Sequence, residues 1–153
     1  MIITFVGHSS VPLRDKVRQA VLTQMRDLIS DSEQILCYLG GYGDFDGICA
    51  SVLKELKSEY KGIELVFVTP YLDLSERRRI KDTVDQKIYD SVLYPPLENV
   101  PPKFAISKRN EWMVRNADAV IAFVTHCYGG AYQSLRIADR IGKKIVNVAD
   151  HLD

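Results

Sequence analysis

Three stretches of this chain set glycine, imidazole, hydroxyl and carboxylate groups side by side in patterns that could handle an anion. They are Gly7-His8-Ser9-Ser10, Leu39-Gly40-Gly41-Tyr42-Gly43-Asp44-Phe45-Asp46-Gly47, and the run from Thr125 through His126, Cys127 and Tyr128 to Gly129-Gly130. Glycine lets a backbone turn tightly and bring its N–H groups close to a ligand. A helix starting behind such a turn adds partial positive charge, which suits phosphate. Two loops of this kind point to a nucleotide or sugar phosphate. Gly7, His8, Gly40, Gly41, Gly43, Gly47, Thr125, Gly129 and Gly130 are therefore candidate ligand contacts, set against the plainer role of glycine as a turn former. Arg109 can pair bidentately with a phosphate, or can be an exposed helix residue beside Lys108. Asp46 can accept from a ribose hydroxyl, or can simply oppose the dipole of a helix start. His8, after a strand, can meet a base or a phosphate, or be a turn residue.

Standard nucleotide motifs are absent. A Walker A loop ends in Gly-Lys-Ser/Thr, whereas Gly47 is followed by Ile48; a dinucleotide fingerprint starting at Gly41-x-Gly43 would need glycine where Asp46 stands. His126 and Cys127 have no spaced partner and make neither a dyad nor a metal site. Cys37, Cys49 and Cys127 are odd in number and widely spaced, so neither a disulfide framework nor a zinc site follows. No metal and no cofactor are expected.

The elements that must position these groups alternate along the chain. Apolar runs at Ile2–Val6, 35–39, 63–68, 119–124 and 145–148 read as strands. They are continuous rather than alternating, as expected when both faces of a sheet are covered. Between them run helical patterns: Val17, Val21, Met25, Leu28 and Ile29, with Ser9 or Ser10 as cap and Pro12 in the first turn; Ile48, Val52, Leu53, Leu56 and Tyr60; Ile106 to Asn116; and Leu135, Ala138 and Ile141, closed by Gly142. This predicts a doubly wound α/β fold, a mostly parallel sheet of about five strands with helices on both faces. Ligands in such sheets sit beyond the carboxyl ends of the strands, where the three chemical stretches fall. Residues 71–104 are less regular. There Arg77, Arg78, Arg79 and Lys81 are diluted by Glu76, Asp82 and Asp85 and read as a solvated face, and Tyr89, Tyr94 and Phe104 flank prolines as a lid, a packed connection or an oligomer contact.

With 153 residues the chain is one domain, residues 1–153, too short for two independent cores. Apolar residues make up 46%, enough for a substantial core, so disorder is not expected. Twenty Lys plus Arg balance twenty Asp plus Glu, and a net charge of zero disfavours nucleic acid as a partner. No apolar run of membrane-spanning length occurs, MIITFVGH reads as a strand rather than a signal peptide, and three free thiols would fit the cytosol, so a cytoplasmic protein with no membrane partner is expected.

The two glycine loops, together with Ile106-Ser-Lys-Arg109-Asn110-Glu111-Trp-Met113 ahead of the strand AVIAFV, resemble the SLOG superfamily. That Rossmann-like group unites the DNA-processing protein A fold with the Lonely Guy (LOG) phosphoribohydrolases. The likeness runs from Gly7 to Val148. It implies that Arg109 stands where LOG-type enzymes carry a catalytic arginine, and Gly129-Gly130 where they carry a phosphate loop. Their catalytic glutamate, six residues after that loop's second glycine, is here Arg136; the lysine after the arginine is Asn110, and the proline before the glycines is Tyr128. An arginine would repel the positive charge that develops on ribose during N-glycoside cleavage. Asp44, Asp46 and Glu111 are the carboxylates that could substitute, and Arg109, Asp46 and Glu111 are the candidate catalytic residues. The resemblance thus implies a nucleotide-binding module, with sensing as its role, and an N-glycosidase or deoxyribosyltransferase as the alternative. It also implies a homodimer.

Overall fold

The structure, a computed structural model, describes residues 1–29, 34–71 and 88–152; the charged segment assigned above to a solvated face falls outside them. Strand β1 (Ile2–Gly7) leads to helix α1 (Arg14–Leu28), β2 (Ile35–Leu39), α2 (Gly43–Lys57), β3 (Ile63–Val68) and a short β4 (Ser91–Leu93). Helix α3 (Ala105–Arg115), β5 (Ala119–Phe123), α4 (Gly130–Arg140) and β6 (Lys144–Asn147) complete the order. All six strands pair in parallel, in the order β4-β3-β2-β1-β5-β6.

Alternate residues of each central strand feed opposite layers. Ile3, Phe5, Ile121 and Phe123 pack with Val17, Val21, Met25, Leu53 and Leu56 of α1 and α2. Val6, Val120 and Ala122 pack on the other side with Val114 of α3 and Ala138 of α4. Tyr38, Val66 and Val68 extend that second layer to Met113 and Trp112. The doubly wound parallel architecture is the predicted one, with one strand more than expected. Strand β4 is three residues long and is held from outside itself: the Asp90 carboxylate accepts the Leu65 N–H at 2.9 Å and pairs with Lys57.

Helix α1 departs from the expected start. It begins at Arg14, behind Leu13 in a left-handed conformation (φ 53°), with no side-chain cap. The loop before it is tied to α2 instead: Val11 N–H donates to Asp44 Oδ2 at 3.0 Å, and Asp44 N–H donates to Ser9 O at 2.8 Å. A long-range tie replaces the local serine cap. Helix α4 stops as predicted, with Gly142 at φ 74° and Lys143 N–H closing onto Ala138 O at 2.9 Å.

Candidate functional site

The sheet order reverses between β1 and β5. Strands β2, β3 and β4 extend one way from β1, while β5 and β6 lie on its other side. A parallel sheet opens a crevice at the carboxyl ends of such a pair. Here it holds a cleft of about 470 Å³, lined by Gly7 to Ser10 after β1, Gly40, Tyr42 and Asp46 after β2, Arg109 and Asn110 of α3, and His126, Tyr128, Gly129, Gly130 and Ser134 around the start of α4. That volume lies in the range of small-molecule sites, about 300–1,000 Å³. A second hollow of similar volume, at the amino ends of the strands beside Asp27, Asp118 and Lys144, has none of these loops.

Of the residues singled out in the sequence, Gly7, His8, Gly40, Asp46, Arg109, Gly129 and Gly130 meet in this one cleft. Gly41, Gly43, Gly47, Thr125 and Glu111 do not line it. Gly41 (φ 76°) and Gly43 (φ 86°) shape the turn into α2, and a Cβ on Gly41 would lie 2.0 Å from the Phe67 ring. Gly47 lies in the first turns of α2. Thr125 reaches the site only through its N–H, which donates to His8 Nε2 at 2.9 Å. Glu111, a candidate catalytic carboxylate, pairs instead with Lys108 at 3.4 Å and Arg115 at 3.1 Å along α3. Asp44 is likewise engaged, with Val11 N–H and Arg14.

Arg109 is buried, at 4% exposure. Its Nη1 donates to Gly40 O at 3.1 Å and Val68 O at 2.8 Å, and its Nε donates to Asn110 Oδ1 at 2.8 Å. The side chain clamps the carboxyl ends of β2 and β3 and puts its charge under the cleft floor. An exposed helix residue is therefore ruled out. Gly40 makes room for it, since a Cβ there would stand 3.0 Å from the guanidinium.

The backbone N–H groups of Gly40, Gly41 and Tyr42 act on the Asp46 carboxylate, with Tyr42 N–H to Oδ2 at 3.2 Å. Desolvation nevertheless pushes the Asp46 pKa up to about 6, against the pull of those amides and of Arg109. The first glycine loop thus turns its donors onto an internal carboxylate. Among the described residues Asp46 is the one carboxylate lining the cleft.

The second loop differs. Gly129 (φ 90°) caps α4 with no side-chain hydrogen bond, and no acidic residue stands in the first turn. The first N–H groups of a helix have no partner within it. Beside them Ser134 is 3% exposed, lines the cleft, and its hydroxyl has no hydrogen-bond partner among the described residues. Buried hydroxyls are nearly always paired, and one that faces a cleft can bond a polar ligand atom.

His8 accepts through Nε2 and so carries its proton on Nδ1 when neutral; burial and the neighbouring His126 hold its pKa below the ordinary value. Its ring stacks on His126, and His126 on Tyr128. Sequence reasoning missed Ser134, whose burial only packing reveals, and this stack, because neither residue spacing nor type reveals ring planes. Arg136, which the resemblance sets at the position of the LOG-type glutamate, is exposed, lies over the Tyr132 ring at 5.8 Å and does not line the cleft. No group of three or more His, Cys, Asp or Glu among the described residues could hold a metal, and no described helix is long and apolar enough to cross a membrane.

No protein-family model and no curated protein matches the sequence. Solved structures do match the fold. The crystal structure of TM1055 is 17% identical with a TM-score of 0.59, and the match covers 94% of this chain and 71% of that one. DNA processing protein A from Helicobacter pylori, described for its single-stranded DNA binding mode, is 15% identical with a TM-score of 0.63, over 99% of this chain and 71% of that one. DNA processing protein A from Streptococcus pneumoniae is 14% identical with a TM-score of 0.51, over 98% of this chain and 60% of that one. The second likeness corrects the expectation that nucleic acid is disfavoured as a partner: a protein of this fold binds single-stranded DNA. Net charge is a sum over the whole surface, whereas strand binding depends on a local groove and on stacking. Taken with the sheet order, these likenesses show that the chain shares a Rossmann-like fold with TM1055 and with the two DNA processing A proteins.

Proposed function

We propose that the cleft between β1 and β5 binds a nucleotide, with phosphate at the start of α4 and ribose toward Asp46. The observation that carries this reading is the α4 N-terminus without a side-chain cap, beside the buried Ser134 hydroxyl, which has no hydrogen-bond partner among the described residues. A phosphate oxygen supplies the acceptor that both need, and the α4 dipole favours its charge. Arg109 adds positive potential from below. The Asp46 carboxylate, already facing the amides of the first loop, turns phosphate away from that end and accepts from a sugar hydroxyl instead. Arg136 leaves the LOG-type hydrolytic carboxylate missing, so binding, as in a sensor, is favoured over turnover.

Isothermal titration with AMP, ADP-ribose, NAD and cyclic nucleotides tests it. Dissociation constants below about 1 mM are expected for at least one, equivalent to about 4 kcal/mol; no binding at that level overturns the reading. Release of free base from nucleoside monophosphates, abolished in Asp46→Asn, would replace it with the N-glycosidase alternative. A second reading, single-stranded DNA binding, is favoured by the Helicobacter pylori likeness. Oligonucleotide binding that is tighter than mononucleotide binding and falls steeply with salt would select it.

A further inference from the structure

Three rings form a continuous pile at the cleft mouth. His8 and His126 have centroids 3.8 Å apart and planes 13° apart; His126 and Tyr128 are also 3.8 Å apart, at 17°. The inner end is fixed. His8 meets the core ring of Phe123 edge-on at 5.9 Å and takes the Thr125 N–H on Nε2. The middle ring is fixed too, its Nδ1 donating to Tyr128 O at 3.0 Å. The outer end is not covered: Tyr128 is 68% exposed, and among the described residues His126 is its one ring contact. His8, His126 and Tyr128 all line the cleft.

From this pile we infer a nucleobase subsite, in which the base of the bound nucleotide stacks on Tyr128 as the fourth ring. The inference rests on the nucleotide reading above and adds where the base goes. A flat aromatic heterocycle is the group that an ordered, half-bare ring pile recognises, because each base offers a π face whatever its edge. Tyr128 and Gly130 are two residues apart, so their Cα atoms lie within about 7 Å. One sugar bridges that span between a base on Tyr128 and a phosphate at the start of α4. Recognition through a ring face rather than a base edge tolerates any base and favours purines, whose larger face covers more of the tyrosine.

The experiment titrates the four nucleoside 5′-monophosphates and ribose 5-phosphate into the wild-type protein, Tyr128→Ala and Tyr128→Phe. Tyr128 is exposed, and thermal melts establish that each variant is folded. Stacking predicts that Tyr128→Ala weakens AMP and GMP by about ten-fold or more while leaving ribose 5-phosphate unchanged, and that Tyr128→Phe restores them. In the wild type the adenine H2 and H8 resonances of AMP shift upfield on binding, and in Tyr128→Ala that shift shrinks. Equal AMP affinity in wild type and Tyr128→Ala overturns the subsite and leaves nucleotide binding standing. An equal loss for ribose 5-phosphate also overturns it, because Tyr128 would then be shaping the phosphate loop. Absence of all binding to the wild type overturns the subsite and the nucleotide reading together.

Discussion

Replacing Arg109 by Met keeps the length of the side chain and removes its charge and its donors. Two backbone carbonyls, Gly40 O and Val68 O, then lose the Nη1 that now lies 3.1 and 2.8 Å away. Each buried acceptor left without a partner costs about 1–3 kcal/mol. Asp46 also loses the nearby positive charge that partly offsets its burial. With some water entering from the cleft, the sum is about 3–5 kcal/mol. For a domain of this size that lowers the melting temperature by roughly 10 °C, at about 2–4 °C per kcal/mol. Arg109→Lys keeps the charge, but its shorter side chain holds the donor less well between the two carbonyls and loses the Nε bond to Asn110 Oδ1, so it falls between. Glu111→Gln, two positions along α3, is the comparison: its partners Lys108 and Arg115 are half exposed, so its pairs are worth at most about 1 kcal/mol. Differential scanning calorimetry of the four proteins in one buffer reads these differences. An Arg109→Met protein that melts within about 2 °C of wild type would show that the guanidinium does not hold the sheet edge, and would remove the reason for its burial.

Two further outcomes follow from titrating groups. The Asp46 pKa is raised from 3.8 to about 6, so the unfolded chain ionises first and stability declines as pH rises across that window. Asp46→Asn should therefore raise the melting temperature of the unliganded protein at pH 7.5 and change it little at pH 4; a gain independent of pH would contradict the burial argument. His8, with its pKa lowered, must stay neutral to accept from Thr125, and stability contributed by the neutral ring is lost as pH falls through 6.5 toward the folded value. Imidazole nitrogen NMR should find His8 protonated on Nδ1 at pH 7.5 and titrating below 6.5; an Nε2–H tautomer would refute the assignment.

Much of the fold could be read before the structure because its signals are local. Residues 35–39, 63–68 and 119–123 are short apolar runs with glycine, proline or charge at their ends, and each is a strand. What escaped was non-local. Strand β4 is three residues whose anchor, Asp90, bonds to a neighbouring strand and a lysine of α2. The start of α1 is set by Asp44, over thirty residues away, rather than by Ser9 or Ser10. At the site, Arg109 and the glycines could be singled out by type, but their roles could not. Only packing separates Gly41, forced by Phe67 and by its backbone angle, from Gly130, where an added Cβ would meet no other part of the protein within 4 Å. Glu111 and Asp46 looked equivalent as carboxylates; one faces its own helix neighbours and the other the cleft.

The position of β1 has a consequence for how the chain is made. Of the six strands, the one made before the others is central, and its partner on one side is β5, with Ile3 opposite Ala119 and Gly7 opposite Phe123. Until residues 119–123 emerge, a nascent chain carrying β1 to β4 presents Phe5 and Val6 on an open strand edge, the kind of edge that recruits other chains. Protection of that edge is thus needed until residues 119–123 have been made, and the cleft is complete only when β1 has paired with β5 and residues 126–134 have followed.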